Sequence, residues 1–161
     1  MKIRFATLDD VPAFVELGRR FHAMTRFAAY DYNPERVAQQ LRAVIEVGQS
    51  RHGTHCFFVA ESTQGEPVGG LIGCIERHFF SDMPIASIVH YDVLPEKRMG
   101  GAGLRLLTAF RKWAENRGAI EINAGVNSGV DLEKMDRFLR KLGFEQTGGN
   151  YSLVLGGGNK K

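Results

Sequence analysis

The sequence of 161 residues is poor in cysteine and has no long apolar run. Its two cysteines, Cys56 and Cys74, both lie inside apolar, strand-like stretches. Two thiols of this kind fit a reducing compartment better than a disulfide framework. No stretch of about 18 or more apolar residues is present, so no transmembrane helix is expected. The opening residues MKIRFATLDD lack the apolar core of a signal peptide, and we therefore expect a cytoplasmic protein with no membrane partner.

A strong excess of one charge sign is also absent, since the net charge is only +3 and the pI about 9.0. The basic residues are scattered, and no basic stripe with interleaved aromatics predicts a nucleic-acid partner. His52, His55 and Cys56 lie close together, but no second cluster supplies further ligands at zinc spacing. We therefore expect no metal site and a globular enzyme or binding protein.

The sequence does contain a regular succession of strand and helix patterns, in the order β-α-α-β-β-β-α-β-α-β. Apolar residues at helical spacing mark the helices, and apolar runs bounded by turn residues mark the strands. Short turns between the second, third and fourth strands predict antiparallel hairpins. The helix between the strands at Val89 and Ile122 requires that these two strands be parallel. The predicted fold class is α/β (α+β), with a mixed, mostly antiparallel sheet flanked by helices.

The length predicts one domain, because no linker divides the chain. We place this domain at residues 1–155 and expect a disordered tail at residues 156–161, which read GGGNKK. The glycines in VGGLIGCIERHFF predict a bulge or a close backbone approach within the third strand.

A glycine-rich loop joins the fourth strand to the third helix in the stretch VLPEKRMGGAGLRLLTAFRKW. Glycines at such a junction let backbone N–H groups face a ligand, and the helix N-terminus adds partial positive charge. Arg98 adds a full charge, so the loop predicts an anion site of the kind that holds phosphate. The dinucleotide fingerprint fails because Leu106 stands where its third glycine belongs, and no Gly-Lys-Ser/Thr follows to make a nucleotide P-loop.

The loop instead reads R-x-x-G-x-G, follows a strand that ends in V-x-P, and opens a long helix. With the ending FLRKLGFE and the order of elements, it resembles the coenzyme A loop of the GCN5-related N-acetyltransferase (GNAT) family. The resemblance covers nearly the whole chain. The stretch GFEQTGGNY is also similar to the ending of bacteriophage-type members.

This resemblance implies the acyl-CoA N-acyltransferase (GNAT) fold and direct transfer of an acetyl group from acetyl-CoA to an amine acceptor, either a small molecule or a protein. The strands at Val93 and Ile122 would splay and leave a slot for the pantetheine arm. It also implies the cofactor-binding residues. They are Val93 and Leu94 for the pantetheine and the acyl carbonyl, Arg98, Met99, Gly100, Gly101, Ala102, Gly103 and Leu104 for the pyrophosphate, and Asn127 after the fifth strand.

The catalytic acid and base are less well defined by the resemblance. Many family members place a tyrosine where this chain has Leu139, which cannot donate a proton. Tyr151, on an expected terminal strand, is the candidate substitute. His90 is the candidate base, because its ordinary pKa lies near neutral pH, with Asp92 and Glu121 as alternatives. The alternative is that the protein keeps the fold and binds acyl-CoA without catalysing transfer. A homodimer would form through the terminal strands.

Overall fold

Residues 1–155 are described by the structure, which is a computed structural model. The predicted tail at 156–161 lies outside the described residues. The helices and strands, in chain order, are β1 (Lys2–Phe5), α1 (Val11–Met24), α2 (Pro34–Gly48), β2 (His55–Glu61), β3 (Pro67–Arg77), β4 (Pro84–Val93), α3 (Ala102–Asn116), β5 (Ile122–Ala124) and α4 (Leu132–Lys141). No helix within this part of the chain is long and apolar enough to cross a membrane.

The strands form one mixed sheet in the order β1-β2-β3-β4-β5. Neighbours from β1 to β4 are antiparallel, and β4 pairs with β5 in parallel. This confirms the predicted hairpins and the predicted parallel crossover through α3. The pairing of β4 with β5 is short, since it joins only Ala86 to Ile122, Ser87 to Asn123 and Ile88 to Ala124.

Helices cover both faces of the sheet. On one face, α1 and α2 pack against Phe57, Val59 and Ile72. On the other face, Leu106 and Phe110 of α3 are fully buried. Their period of four residues places them on one side of the helix, and burying such apolar side chains stabilises the fold by about 2 kcal/mol each.

An ion-pair group fixes the start of α1 to the edge of the sheet. The guanidinium of Arg4 lies 2.8 Å from the Asp10 carboxylate and 2.5 Å from that of Glu61. The hydrogen bond from Arg4 lowers the pKa of Asp10, although burial opposes this effect. Asp10 also accepts a hydrogen bond from the Thr7 N–H at 2.7 Å, which caps the turn that leads into α1.

A β-bulge interrupts the pairing of β3 with β4, as the glycines of β3 predict. Ile72 pairs with His90 and Gly73 pairs with Ile88, so Val89 is the extra residue on β4. A Cβ atom at Gly73 would come within 2.1 Å of the Phe110 ring. The absence of a side chain at Gly73 therefore lets α3 approach the sheet closely.

The predicted terminal strand is wrong for the residues that the structure describes, because residues 144–155 form no strand after α4. The side chains of Tyr151 and Leu153 are 98% and 83% exposed. Two physical reasons account for this. The edge strand β5 offers only three residues for pairing, and Gly148 and Gly149 weaken the tendency of this segment to extend.

We expect Gly73→Ala to reduce the free energy of unfolding by about 1–3 kcal/mol, because the new methyl group overlaps the buried Phe110 ring. Chemical denaturation measures the change. Gly148→Ala is the matched control, since a Cβ at Gly148 meets nothing within 4 Å. Equal stabilities of the two variants would show that α3 is not packed against Gly73 as described.

Candidate active site

A split opens between β4 and β5 beyond Ile88 and Ala124, where their pairing ends. The Leu94 N–H donates to the Val68 carbonyl at 2.9 Å, so this N–H faces β3. Because hydrogen-bonding directions alternate along a strand, the backbone groups of Val93 face the split instead. The Leu94 N–H is thus engaged within the sheet, and the Val93 carbonyl accepts a hydrogen bond from Arg98, so contacts of these two residues with a cofactor stay a prediction.

The glycine loop lies directly after the split. Pro95–Gly100 form a 3-10 turn, and Gly101 takes a left-handed conformation with φ of 77° before α3 begins. The first intrahelical bond here is donated by the Arg105 N–H to the Gly101 carbonyl, at 3.1 Å. The N–H groups of Ala102, Gly103 and Leu104 therefore have no acceptor within the helix and are directed toward an anion at its N-terminus.

The remaining residues of the loop have different environments. Met99 is 91% exposed, and a side chain at Gly100 would lie near Met1. Ala102 is fully buried, so only its backbone N–H can serve a ligand. Residues 99–104 therefore run from the end of the 3-10 turn into the first turn of α3, and their binding of a pyrophosphate stays a prediction.

Gly103 has a structural role that the sequence did not predict. A Cβ atom there would lie 2.2 Å from the hydroxyl oxygen of Tyr91 and 3.4 Å from its ring carbon Cζ. The phenol of Tyr91 therefore packs beneath the first turn of α3. Burial raises the pKa of Tyr91 to about 12, helped by the nearby Asp92 and opposed by Arg98, so this phenol is protonated at neutral pH.

Arg98 points inward and connects three elements. Its Nε donates to the Val93 carbonyl at 3.0 Å, and its terminal nitrogens lie 3.9 Å from Asp92 and 3.6 Å from Asp131. Asp131 precedes α4 and has a left-handed backbone with φ of 49°, which is strained for a residue other than glycine. Arg98 thus positions the end of β4 and the start of α4 in addition to placing positive charge beside the loop.

Asp92 lies beside the split and lines a cavity between the sheet and the first two helices. Its side chain is 13% exposed. Burial raises the pKa of this carboxyl to about 6, while Arg98, the Val93 N–H and Arg20 favour the charged form. A carboxylate with a pKa near the working pH has the property that a general base requires, and the choice among His90, Asp92 and Glu121 stays a prediction.

His90 lines the same cavity, two residues before Asp92 on β4. Its ring meets the ring of Phe21 edge to face, with centroids 5.0 Å apart. Burial lowers the pKa of His90, so the imidazole is neutral at physiological pH. Tyr91 and Val93 pack on the opposite face with α3, as strand alternation predicts.

Asn127 lies in the loop between β5 and α4, and its role in the structure involves its backbone. Its carbonyl accepts a hydrogen bond from Arg26 Nε at 2.5 Å, and the Ser128 carbonyl accepts one from the Arg26 N–H at 3.0 Å. Arg26 belongs to the connection between α1 and α2. These bonds tie the connection between α1 and α2 to the loop after β5, and the side-chain contact of Asn127 to a cofactor stays a prediction.

Two other candidates lie away from the split. Tyr151 is on the exposed terminal segment, and Glu121 lies at the far end of β5, where its carbonyl accepts from the Ala86 N–H at 2.9 Å. Leu139 lines a second, larger groove of about 1580 Å³ between α3, β5 and α4. The structure therefore brings His90, Asp92 and the loop together, and it does not bring Tyr151 to them.

A split strand pair that ends at an anion-binding helix N-terminus, beside a cavity with a buried carboxylate, is the arrangement of an acyltransferase. The sequence model of the Acetyltransferase (GNAT) family matches residues 19–144. The chain therefore belongs to this acetyltransferase family. This confirms the family and the fold class predicted from the sequence.

Solved structures show the same fold. An acetyltransferase from Trypanosoma brucei is 19% identical, covers 96% of this chain and 99% of its own, and has a TM-score of 0.70. The aminoglycoside antibiotic 6'-N-acetyltransferase AAC(6')-Ih from Acinetobacter baumannii is 17% identical, with 98% and 99% covered and a TM-score of 0.70.

An aminoglycoside acetyltransferase from an uncultured soil metagenomic sample, meta-AAC0020 in complex with sisomicin, is 24% identical, with 96% and 95% covered and a TM-score of 0.66. No curated protein sequence matches this chain significantly.

We expect Gly103→Ala to destabilise the protein by about 1–3 kcal/mol, because the new methyl group overlaps the Tyr91 hydroxyl. The double variant Gly103→Ala, Tyr91→Phe should recover most of this loss, since the ring carbon is 3.4 Å away once the oxygen is removed. A double-mutant cycle in chemical denaturation measures the coupling. Additive effects of the two changes would contradict the described contact.

Proposed function

We propose that the protein transfers an acetyl group from acetyl-CoA directly to the nitrogen of an amine. One observation carries this proposal: the split at Val93 lies between the anion-binding turn of α3 and a cavity that contains Asp92. A thioester held by the turn and an amine held in the cavity would meet at the end of β4.

The loop supplies the groups that a pyrophosphate requires. Three backbone N–H groups at the start of α3 lack intrahelical acceptors, and the helix dipole adds to their attraction for an anion. The pantetheine arm would pair with the backbone of Val93 along the split, as an added strand does. The groove between α3 and α4 begins at Leu104, and its size would accommodate the nucleotide end of the donor, although its arginines are paired with carboxylates.

The chain's own groups account for the proton transfers on the amine side. An ammonium ion loses one proton to the Asp92 carboxylate and becomes the nucleophile. The nitrogen then attacks the acyl carbon, the C–N bond forms and the C–S bond breaks. The Val93 N–H favours the charged Asp92 carboxylate. Once Asp92 has accepted its proton, this N–H would become available to stabilise the negative charge that develops on the carbonyl oxygen.

The thiolate takes up the second proton of the attacking nitrogen, either through water or through a protein group. Leu139, at the usual tyrosine position, cannot supply it. A role for Tyr151 as the acid stays a prediction from the sequence, as do the homodimer and the cytoplasmic location. Because a thiolate is a good leaving group, its protonation need not be concerted with bond cleavage.

The donor site is tested by calorimetric binding of acetyl-CoA. Gly101→Glu should abolish binding, because it strains a left-handed backbone and adds negative charge where phosphate would bind. Gly65→Glu is the matched control, since Gly65 has a similar φ of 83° and lies in the distant turn between β2 and β3. Equal affinity of the two variants would place the donor elsewhere. Binding without release of free thiol in the presence of amines would indicate the non-catalytic alternative.

The role of Asp92 is tested by the pH dependence of kcat/KM. The carboxylate form is required, so activity should be present above pH 6 and decrease as the pH falls through about 6. Asp92→Asn should lose this acidic limb and about 10²–10⁴-fold in rate. His90→Gln is the matched control on the same strand face and should keep the limb. Loss of the limb in His90→Gln alone would identify His90 as the base.

A further inference from the structure

The cavity beside Asp92 has a volume of about 420 Å³ and lies between the sheet and the helices α1 and α2. This volume falls within the range of about 300–1,000 Å³ that is typical of small-molecule sites. The cavity and α3 lie on opposite faces of the sheet. An acceptor in the cavity therefore approaches the end of β4 from the side opposite to α3.

Apolar groups form most of the inner surface of this cavity. Gly70 pairs with Asp92 across the strands, and a Cβ atom there would lie 2.6 Å from the Phe14 ring. Aromatic surface, rather than a polar side chain, therefore lies beside the carboxylate. The further apolar side chains that line the cavity include Leu17, Phe21, Val37, Phe57 and Ile72.

The connection between α1 and α2 covers the cavity with two more aromatic rings, Phe27 and Tyr32. The Tyr32 hydroxyl donates to the Val15 carbonyl at 2.6 Å, so it is already paired. The hydrogen bonds from Arg26 to the loop after β5 hold this connection over the cavity. The cover therefore adds apolar surface and few free polar groups.

Charge is sparse in the cavity. Among its lining residues the carboxylates are Asp92, next to the split, and Asp31, on the connection between the helices. Arg36 contributes a positive charge to the same lining, and it would repel additional cationic groups of a ligand. An ammonium group at the reacting position finds its partner at Asp92, whereas Asp31 and Arg36 together add no net charge to the rest of the lining, so further ammonium groups would be poorly compensated.

We propose, on the basis of the function proposed above, that the acceptor is a primary amine with a single ammonium group on a compact aromatic or branched alkyl body. Its nitrogen lies at Asp92 and its body occupies the space between Phe21, Phe27 and Phe57. Aminoglycosides carry several ammonium groups on a polar, hydroxylated frame, and this cavity matches neither feature. The proposed acceptor class thus differs from that named for the aminoglycoside acetyltransferases of the same fold.

The first experiment measures binding without chemistry. Thermal unfolding of the full-length protein is followed with 2-phenylethylamine, spermidine or kanamycin alone, at millimolar concentrations. 2-Phenylethylamine should raise the melting temperature, because a ligand that binds only the folded state stabilises it. The two polycations should produce a smaller shift or none. No shift with 2-phenylethylamine, or a larger shift with either polycation, would overturn the proposed acceptor class.

The second experiment measures release of free thiol from acetyl-CoA with the same three amines. Phe27→Ser should raise KM for 2-phenylethylamine roughly fivefold to twentyfold with little change in kcat, because it removes binding surface away from the reacting atoms. Phe79→Ser is the matched control, since Phe79 is an exposed ring at the far end of β4. A KM that is unchanged in Phe27→Ser would overturn the placement of the acceptor body.

The outcomes separate this inference from the proposed function. Stabilisation by 2-phenylethylamine that Phe27→Ser weakens, without thiol release by any amine, supports the cavity as an amine site and contradicts acetyl transfer. Thiol release that is faster with kanamycin or spermidine than with 2-phenylethylamine supports acetyl transfer and overturns the acceptor class.

Discussion

The pairing of β4 with β5 ends after three residues, and the arrangement of the site depends on the position of that end. If the two strands stayed paired to Val93, the backbone of that residue would be used within the sheet. The glycine loop would then follow a closed edge, and an anion bound at α3 would have no route to the cavity on the other face. Because the two strands diverge, β4 beyond Ile88 is paired with β3 on one side and is unpaired on the side of β5.

The carboxylate at the end of β4 is retained at a cost in stability. The pKa of Asp92 is about 6 in the folded protein against an ordinary value of 3.8, so the folded state binds this proton more tightly than the unfolded state does. Stability therefore decreases as the pH rises between these two values, by at most about 3 kcal/mol. An amide would avoid this loss, and a buried carboxylate with so little structural benefit is typical of a functional position.

The sequence contained the order of elements up to α4, the parallel crossover and the loop, because these depend on local patterns and on short-range chain geometry. It also placed His90 and Asp92 on one face of β4. It did not predict the contact of Arg98 with Asp131, because this contact joins residues through the tertiary fold. The packing of Tyr91 beneath Gly103 was missed for the same reason. Gly103 suggested that a ligand comes close to the loop backbone, whereas the structure shows that the phenol of Tyr91 packs against it.

The extra residue Val89 determines which chemistry reaches which face of the sheet. Before the bulge, Ala86 and Ile88 turn toward α3, and after it Tyr91 and Val93 do so. In a regular strand, His90 and Asp92 would occupy that face instead. Loss of the single codon for Val89 would therefore remove the bulge and leave His90 and Asp92 on their present face. Gain or loss of one residue between the bulge and Val93 would instead exchange the two sets of side chains, so a gap there in an alignment of related genes has more effect than several substitutions.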